Sequence, residues 1–146
     1  MGRVADILRA KGSKVYSIRS DATVYEAVGA MVSHNVGALL ILDSEEVRGI
    51  ITERDYLREI ALKGRTSKET LVREVMSVQV ICVEPNRSVD DCMAIMSSQR
   101  IRHLPVVEGG DVVGIVSIGD LVKQRAKDRE VEIRYLTDYI TGKYPA

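Results

Sequence analysis

One succession of apolar and polar positions runs twice along the chain. Residues 15–18 (Val-Tyr-Ser-Ile) and 80–83 (Val-Ile-Cys-Val) read as short strands. Thr23 and Ser88 follow, with Glu26 and Asp91 three positions on, the spacing of a helix N-cap. Apolar residues then recur at i, i+3, i+4 and i+7: Val24, Ala27, Val28 and Met31, and again Val89, Cys92, Met93 and Met96. That period predicts an amphipathic helix in each place. Two strands come next, 38–42 with 47–51 and 104–107 with 112–116. The first pair is joined by Asp43-Ser44-Glu45-Glu46, the second by Glu108-Gly109-Gly110-Asp111, a hairpin signal. A further helix begins after each pair, so the predicted unit is β-α-β-β-α, written twice.

The repetition is visible in the letters as well as in the pattern. A shift of 65 positions lays residues 15–62 on 80–127 without a gap, and the valines 15/80, Met31/96, Leu39/104, Gly49/114, Ile50/115 and Asp55/120 are among the identities. The stretch before each unit also echoes, Val4-Ala5-Asp6-Ile7-Leu8 against Val72-Arg73-Glu74-Val75-Met76, but at a shift of 68. The first copy therefore carries about three extra residues near Lys11, Gly12 and Ser13. Residues 1–66 are taken as the first repeat, 67–127 as the second and 128–146 as a helical tail, with the polar stretch 64–74 as the connection. In the tail Ile133, Leu136 and Ile140 share one helical face with Tyr135 and Tyr139 nearby, and Gly142 and Pro145 mark its end. Such a stripe must be covered by the body or by a second chain.

Composition narrows the function. The chain has 146 residues, and Lys+Arg and Asp+Glu both number 21, giving a formal net charge of zero. A nucleic-acid-coating protein would carry a basic excess, and with no Phe or Trp a stacking platform for single strands is not expected. No apolar run reaches the ~18 residues of a transmembrane helix, and residues 1–14 lack the apolar centre of a secretory signal. Met1-Gly2 opens the chain, but Asp6 stands where lipidation at Gly2 needs Ser or Thr. A cytoplasmic protein, without membrane or nucleic-acid partners, is the expectation. Cys82 and Cys92 lie in apolar patterns and read as buried free thiols in a reducing compartment.

The chemistry concentrates where each hairpin ends. GIITERDY (49–56) and GIVSIGDL (114–121) share Gly, two β-branched residues, Thr or Ser, two variable positions and Asp. Thr52-x-x-Asp55 and Ser117-x-x-Asp120 fit a capping box, in which N-cap and N3 satisfy amides at the helix start. The same groups can hold a ligand. A helix N-terminus offers amides and partial positive charge to phosphate, and a carboxylate can accept from both hydroxyls of a ribose. Spacing does not separate the two roles, because Thr23/Glu26 and Ser88/Asp91 share it. The motifs differ in directly following a β-branched strand with a leading Gly, which lets the chain turn into a helix at a sheet edge.

With VGALLILD (36–43) and IRHLPVVE (101–108), these motifs resemble the cystathionine-β-synthase (CBS) domain pair, or Bateman module, over residues 4–127. The chain looks like a small stand-alone member. The resemblance implies a mixed fold, α/β (α+β), with tandem β-α-β-β-α repeats packed about a pseudo-twofold axis and a C-terminal helix. It implies two clefts between the repeats where adenine nucleotides bind, and association of two chains. A family cleft typically joins the Asp of one repeat to the first strand of the other. By that rule Ser117, Asp120, Arg102 and His103 would meet Lys14 and Tyr16, with the basic pair toward phosphate and Tyr16 against adenine. The opposite cleft would draw on Thr52, Arg54, Asp55, Gln79 and Ile81, with Gly37 and Ala38 where the other has Arg102 and His103. The Asp120 cleft is expected to bind more tightly.

Nothing in the sequence points to catalysis or a metal. His34 and His103 occupy non-equivalent repeat positions, and no His-x-x-x-His, Cys-x-x-Cys, Gly-x-Ser-x-Gly or Gly-rich phosphate loop occurs. The expectation is a non-catalytic, energy-sensing regulatory homodimer that binds AMP, ADP, ATP or NAD(H) and signals to a protein effector. The alternatives are a ligand-independent dimerisation scaffold, or a sensor of NAD(H) or S-adenosylmethionine.

Overall fold

The computed structural model describes residues 2–140. Its elements are α1 (Val4–Lys11), β1 (Ser17–Ile18), α2 (Val24–His34), β2 (Ala38–Asp43), β3 (Glu46–Thr52), α3 (Glu53–Tyr56), α4 (Val72–Val75), α5 (Val89–Gln99), β4 (His103–Glu108), β5 (Asp111–Ser117) and α6 (Ile118–Ile140). A π-helical turn, Leu57–Ala61, follows α3, and a 3₁₀ turn spans Ser67–Glu69. The β-α-β-β-α order is present in both copies, although the strand expected at 80–83 is reduced to one bridge, Val83 with Val106. Of the tail, the Tyr135, Tyr139 and Ile140 side chains, Gly142 and Pro145 lie outside what the structure describes.

The chain divides into two compact units whose limits differ from the repeat limits. One is Val15–Ile81; the other combines residues up to 14 with those from 82 onward. The helix preceding each repeat is thus housed with the other repeat, by one set of bonds used twice. In the first unit Val72 N–H donates to the Ala22 carbonyl (2.8 Å) and Arg73 N–H to Ser20 (3.0 Å). In the second, Val4 N–H donates to Arg87 (3.0 Å) and Ala5 N–H to Pro85 (2.9 Å), the same positions of the repeat. Glu74 and Asp6 close the two helix starts by accepting from the amides of Leu71 (2.7 Å) and Arg3 (2.9 Å). Every first-turn amide so engaged is one fewer left without a partner at a helix start.

In the first unit β2 lies between β1, parallel to it, and β3, antiparallel. The second unit pairs β4 with β5 in the same register, down to a bulge in the same place, after Ile41 and after Val106. Leu39, Ile41 and Ile51 are fully buried against Val24, Ala27 and Met31 of α2, with Ile60, Val72 and Val75 completing the first core. Leu104, Val106, Val116, Val4, Val89, Cys92 and Met96 are buried at the matching places of the second unit, and Leu121 of α6 is buried as well. The apolar helical stripes of the sequence are the faces that meet these strands, and β2 is buried at four consecutive positions, so both of its faces are covered. Cys92 is buried as expected; Cys82 is exposed, because the segment that carries it forms one bridge rather than a paired strand.

The glycines that open the two motifs do not serve a turn. Neither has a positive φ; both lie inside β3 and β5 and are buried. A Cβ on Gly49 would sit 2.4 Å from the Ser77 carbonyl oxygen, and one on Gly114 would sit 2.6 Å from Leu8 Cδ2. What each glycine provides is close approach by the segment that precedes a repeat.

Candidate functional site

Both motifs form complete caps. Asp55 Oδ2 accepts from Thr52 N–H (2.9 Å) and from Thr52 Oγ1 (3.2 Å), while Asp55 N–H donates to Thr52 Oγ1 (3.3 Å). Asp120 Oδ2 accepts from Ser117 N–H (2.9 Å), and Asp120 N–H donates to Ser117 Oγ (3.1 Å). The hairpin brings a second pair of residues beside each cap. His103 is the register partner of Ser117, and the Arg102 carbonyl accepts from Ile118 N–H at 2.9 Å. Ala38 pairs with Thr52 in the same way, and the Gly37 carbonyl accepts from Glu53 N–H at 3.0 Å. Arg102, His103, Ser117 and Asp120 therefore converge in the second unit, and Gly37, Ala38, Thr52 and Asp55 in the first.

The two carboxylates have different surroundings. The Asp55 side chain is 7% exposed, and its Oδ1 takes the Arg58 guanidinium of the same helical turn at 3.0 Å. All its hydrogen bonding is local. Asp120 is 22% exposed, and its counter-ion comes from the other end of the sequence: Lys11 Nζ lies 2.7 Å from Oδ2 and 3.0 Å from the Ile115 carbonyl oxygen. Burial pushes the Asp120 carboxyl upward, but the Lys11 ammonium and the Ser117 amide and hydroxyl outweigh it and hold the group below its ordinary value. Asp120 is thus ionised, partly accessible, and leaves Oδ1 without a hydrogen bond from a described residue.

The remaining expected residues are divided between the two units. Lys14 is exposed, three residues after α1 in the unit that holds Asp120. Tyr16 belongs to the other unit, where its ring stacks on His34 with centroids 3.9 Å apart and its carbonyl accepts from Leu40 N–H. Arg54 is exposed on α3. Gln79 is exposed and Ile81 half-buried, in the segment after Ser77, which bridges to Ile50 of β3. Lys11 did not emerge from the sequence. Its partner is 109 residues away, and the only signal was the extra residues that break the repeat register at this point.

A sequence model of the CBS domain matches residues 4–62 and again 72–127. The chain belongs to the CBS domain family. It is 39% identical to the mitochondrial CBS domain-containing protein CBSX3 of Arabidopsis thaliana, over 97% of this chain and 73% of that one. Among solved structures, a putative signal-transduction protein with CBS domains from Burkholderia ambifaria superposes with a TM-score of 0.84 at 46% identity, covering 87% of this chain and 96% of that one. The CBS domain pair of protein MJ0100, solved in complex with 5′-methylthioadenosine and S-adenosyl-L-methionine, superposes with a TM-score of 0.76 at 28% identity, over 88% and 98% of the two chains. The chain is a CBS-domain pair, and no described helix of it is long and apolar enough to cross a membrane.

Proposed function

We propose that this CBS-domain pair is a non-catalytic regulatory protein that binds an adenine nucleotide at the second motif. The observation that carries this reading is the Asp120 carboxylate: ionised, 22% exposed, beside the start of a 23-residue helix, with one oxygen that takes no hydrogen bond from a described residue. A ribose hydroxyl donates to such a group, and the exposed Arg102 beside it supplies charge for phosphate. His103 and Ser117 complete the polar lining, with Lys14 nearby along the chain. Asp55 is the weaker candidate, since both its oxygens are already engaged locally, by Thr52 and Arg58. The relative solved with two adenosine derivatives supports the adenosyl half of the ligand. Occupancy would shift the packing of the protein, and an effector protein would read that shift.

A second copy of the chain is the proposed partner for α6. Val122, Ile133 and Leu136 are more than half exposed along one side of it, so the body does not cover the stripe. Lys123 precedes Glu130 and Glu132 along the helix, an order that places opposite charges together when two copies run antiparallel. Sedimentation should show a dimer that Leu136→Asp dissociates.

A thermal-shift panel of AMP, ADP, ATP, NAD(H) and S-adenosylmethionine tests the ligand. At a hundredfold excess over Kd, a binder adds about 2.7 kcal/mol of stability. Asp120→Asn keeps a cap and removes the charge; binding should weaken by about one to two decades, the loss of a charge-assisted hydrogen bond. No shift with any compound would favour the dimerisation scaffold, and binding unchanged in Asp120→Asn would remove Asp120 from the site.

A further inference from the structure

Oδ2 of Asp120 is filled: its two acceptor directions take the Ser117 amide at 2.9 Å and the Lys11 ammonium at 2.7 Å. Oδ1 can take one hydroxyl of a ribose, but two-point recognition of a diol needs the place that Lys11 holds on Oδ2. Lys11 is suited to give it up. Its side chain is 41% exposed, it is the last residue of α1, and Gly12 (φ +91°) follows immediately. An exposed ammonium on a long stem is a weakly held partner. Once displaced it needs another anion, and a phosphate on the same ligand supplies one.

We propose that Lys11 is the specificity-determining counter-ion of the Asp120 site: it occupies the carboxylate in the absence of ligand, yields to the ribose, and passes to the ligand's phosphate. This rests on the nucleotide reading of Asp120 and deepens it. The consequence is selection by charge. A nucleoside must displace Lys11 without compensation, whereas a nucleoside phosphate exchanges one anion for another. The exchange also reports occupancy, because Lys11 Nζ ties the end of α1 to the Ile115 carbonyl of β5, and that tie is lost when Lys11 moves. Val15, the first residue of the other unit, follows four positions later.

The test is calorimetric titration of the full chain with AMP and with adenosine, in wild type, Lys11→Met and Asp120→Asn. Wild type should prefer AMP, and Lys11→Met should bind adenosine about tenfold more tightly while losing about tenfold of its AMP-over-adenosine ratio. Amide exchange across residues 4–12 of wild type should speed up when AMP is added, a readout that needs no variant to fold. An unchanged ratio in Lys11→Met, or exchange in α1 that AMP does not alter, would overturn the role of Lys11 while leaving the nucleotide site in place. If wild type binds neither compound, or Asp120→Asn binds both as wild type does, the site itself is wrong and the role of Lys11 falls with it.

Discussion

Asp55 and Asp120 occupy the same position of the same repeat, yet one is closed on itself and the other is joined to a distant helix. Asp55 finds its cation one turn along, at Arg58; Asp120 finds Lys11, which precedes the repeat altogether. The cause is a difference in length. α4 ends at Val75, whereas α1 continues to Lys11, so only the helix in the second unit is long enough to present a cation to the motif. A small insertion in one copy has freed its carboxylate from purely local duty. Duplicated motifs diverge here through what packs against them rather than through their own residues.

The sharpest way to break this comparison is at the two leading glycines, which the structure makes unequal. A methyl on Gly49 meets the backbone oxygen of Ser77, a segment that two backbone hydrogen bonds hold to Ile50. A methyl on Gly114 meets the tip of Leu8, which can change rotamer. Gly49→Ala should therefore cost about 3 kcal/mol and Gly114→Ala about 1 kcal/mol, both by overpacking. Urea unfolding of the two variants measures the gap. Equal losses would mean that close approach is not what fixes glycine at these positions.

Removing the two carboxylates gives the next largest effects. Asp55→Ala removes the acceptor of the part-buried Thr52 amide and hydroxyl, and should cost about 2 kcal/mol; Asp120→Ala, partly solvated, should cost about 1 kcal/mol. Their pH behaviour sharpens the contrast. The folded-state value of Asp120 is lowered, so its stabilisation is complete above the ordinary carboxylate value of about 4 and disappears as pH falls through the folded value. Wild type should exceed Asp120→Asn in stability at pH 7, and the two should converge as the solution is acidified below about pH 4. A gap that persists at low pH would show that the charge on Asp120 does not carry the effect.

Much of this organisation was legible in the letters. The gap-free shift of 65 residues specified matching helices and hairpins, because side-chain period is a local property, and the bulge the two hairpins share was seen only in the structure. The cap spacing was equally legible and equally ambiguous, since Thr52/Asp55 and Thr23/Glu26 are built alike. What the letters could not show was which unit each preceding helix would join. Val4 and Val72 are followed by apolar residues at the same two positions, Ile7-Leu8 and Val75-Met76, and their placement depends on acceptors at Arg87 and Ala22 that belong to the other stretch of chain. Lys11 was hidden for the same reason, as were Gly49 and Gly114, whose constraint comes from Ser77 and Leu8 rather than from their own backbone angles.

The smallest expected effect lies at the two hairpins, where the copies solve one problem with different residues. Both turns need two positive φ angles. The second copy uses Gly109 (+60°) and Gly110 (+86°), while the first forces Ser44 (+51°) and Glu45 (+67°) into the left-handed region. For an L-residue that conformation costs roughly 1–2 kcal/mol, which glycine avoids and asparagine tolerates better. Glycine also adds freedom to the unfolded chain, so only part of that cost is recoverable. Ser44→Asn with Glu45→Gly should then stabilise the first unit by about 1 kcal/mol, raising Tm by roughly 2–4 °C in a chain of this size. Both exchanged side chains are exposed, and neither is the Asp43 carboxylate that holds Ser20, so packing is left intact. The same pair placed at Gly109 and Gly110 should gain nothing from relieved strain. A scanning calorimeter can resolve that asymmetry, and equal responses in the two hairpins would show that the left-handed angles of Ser44 and Glu45 carry no strain.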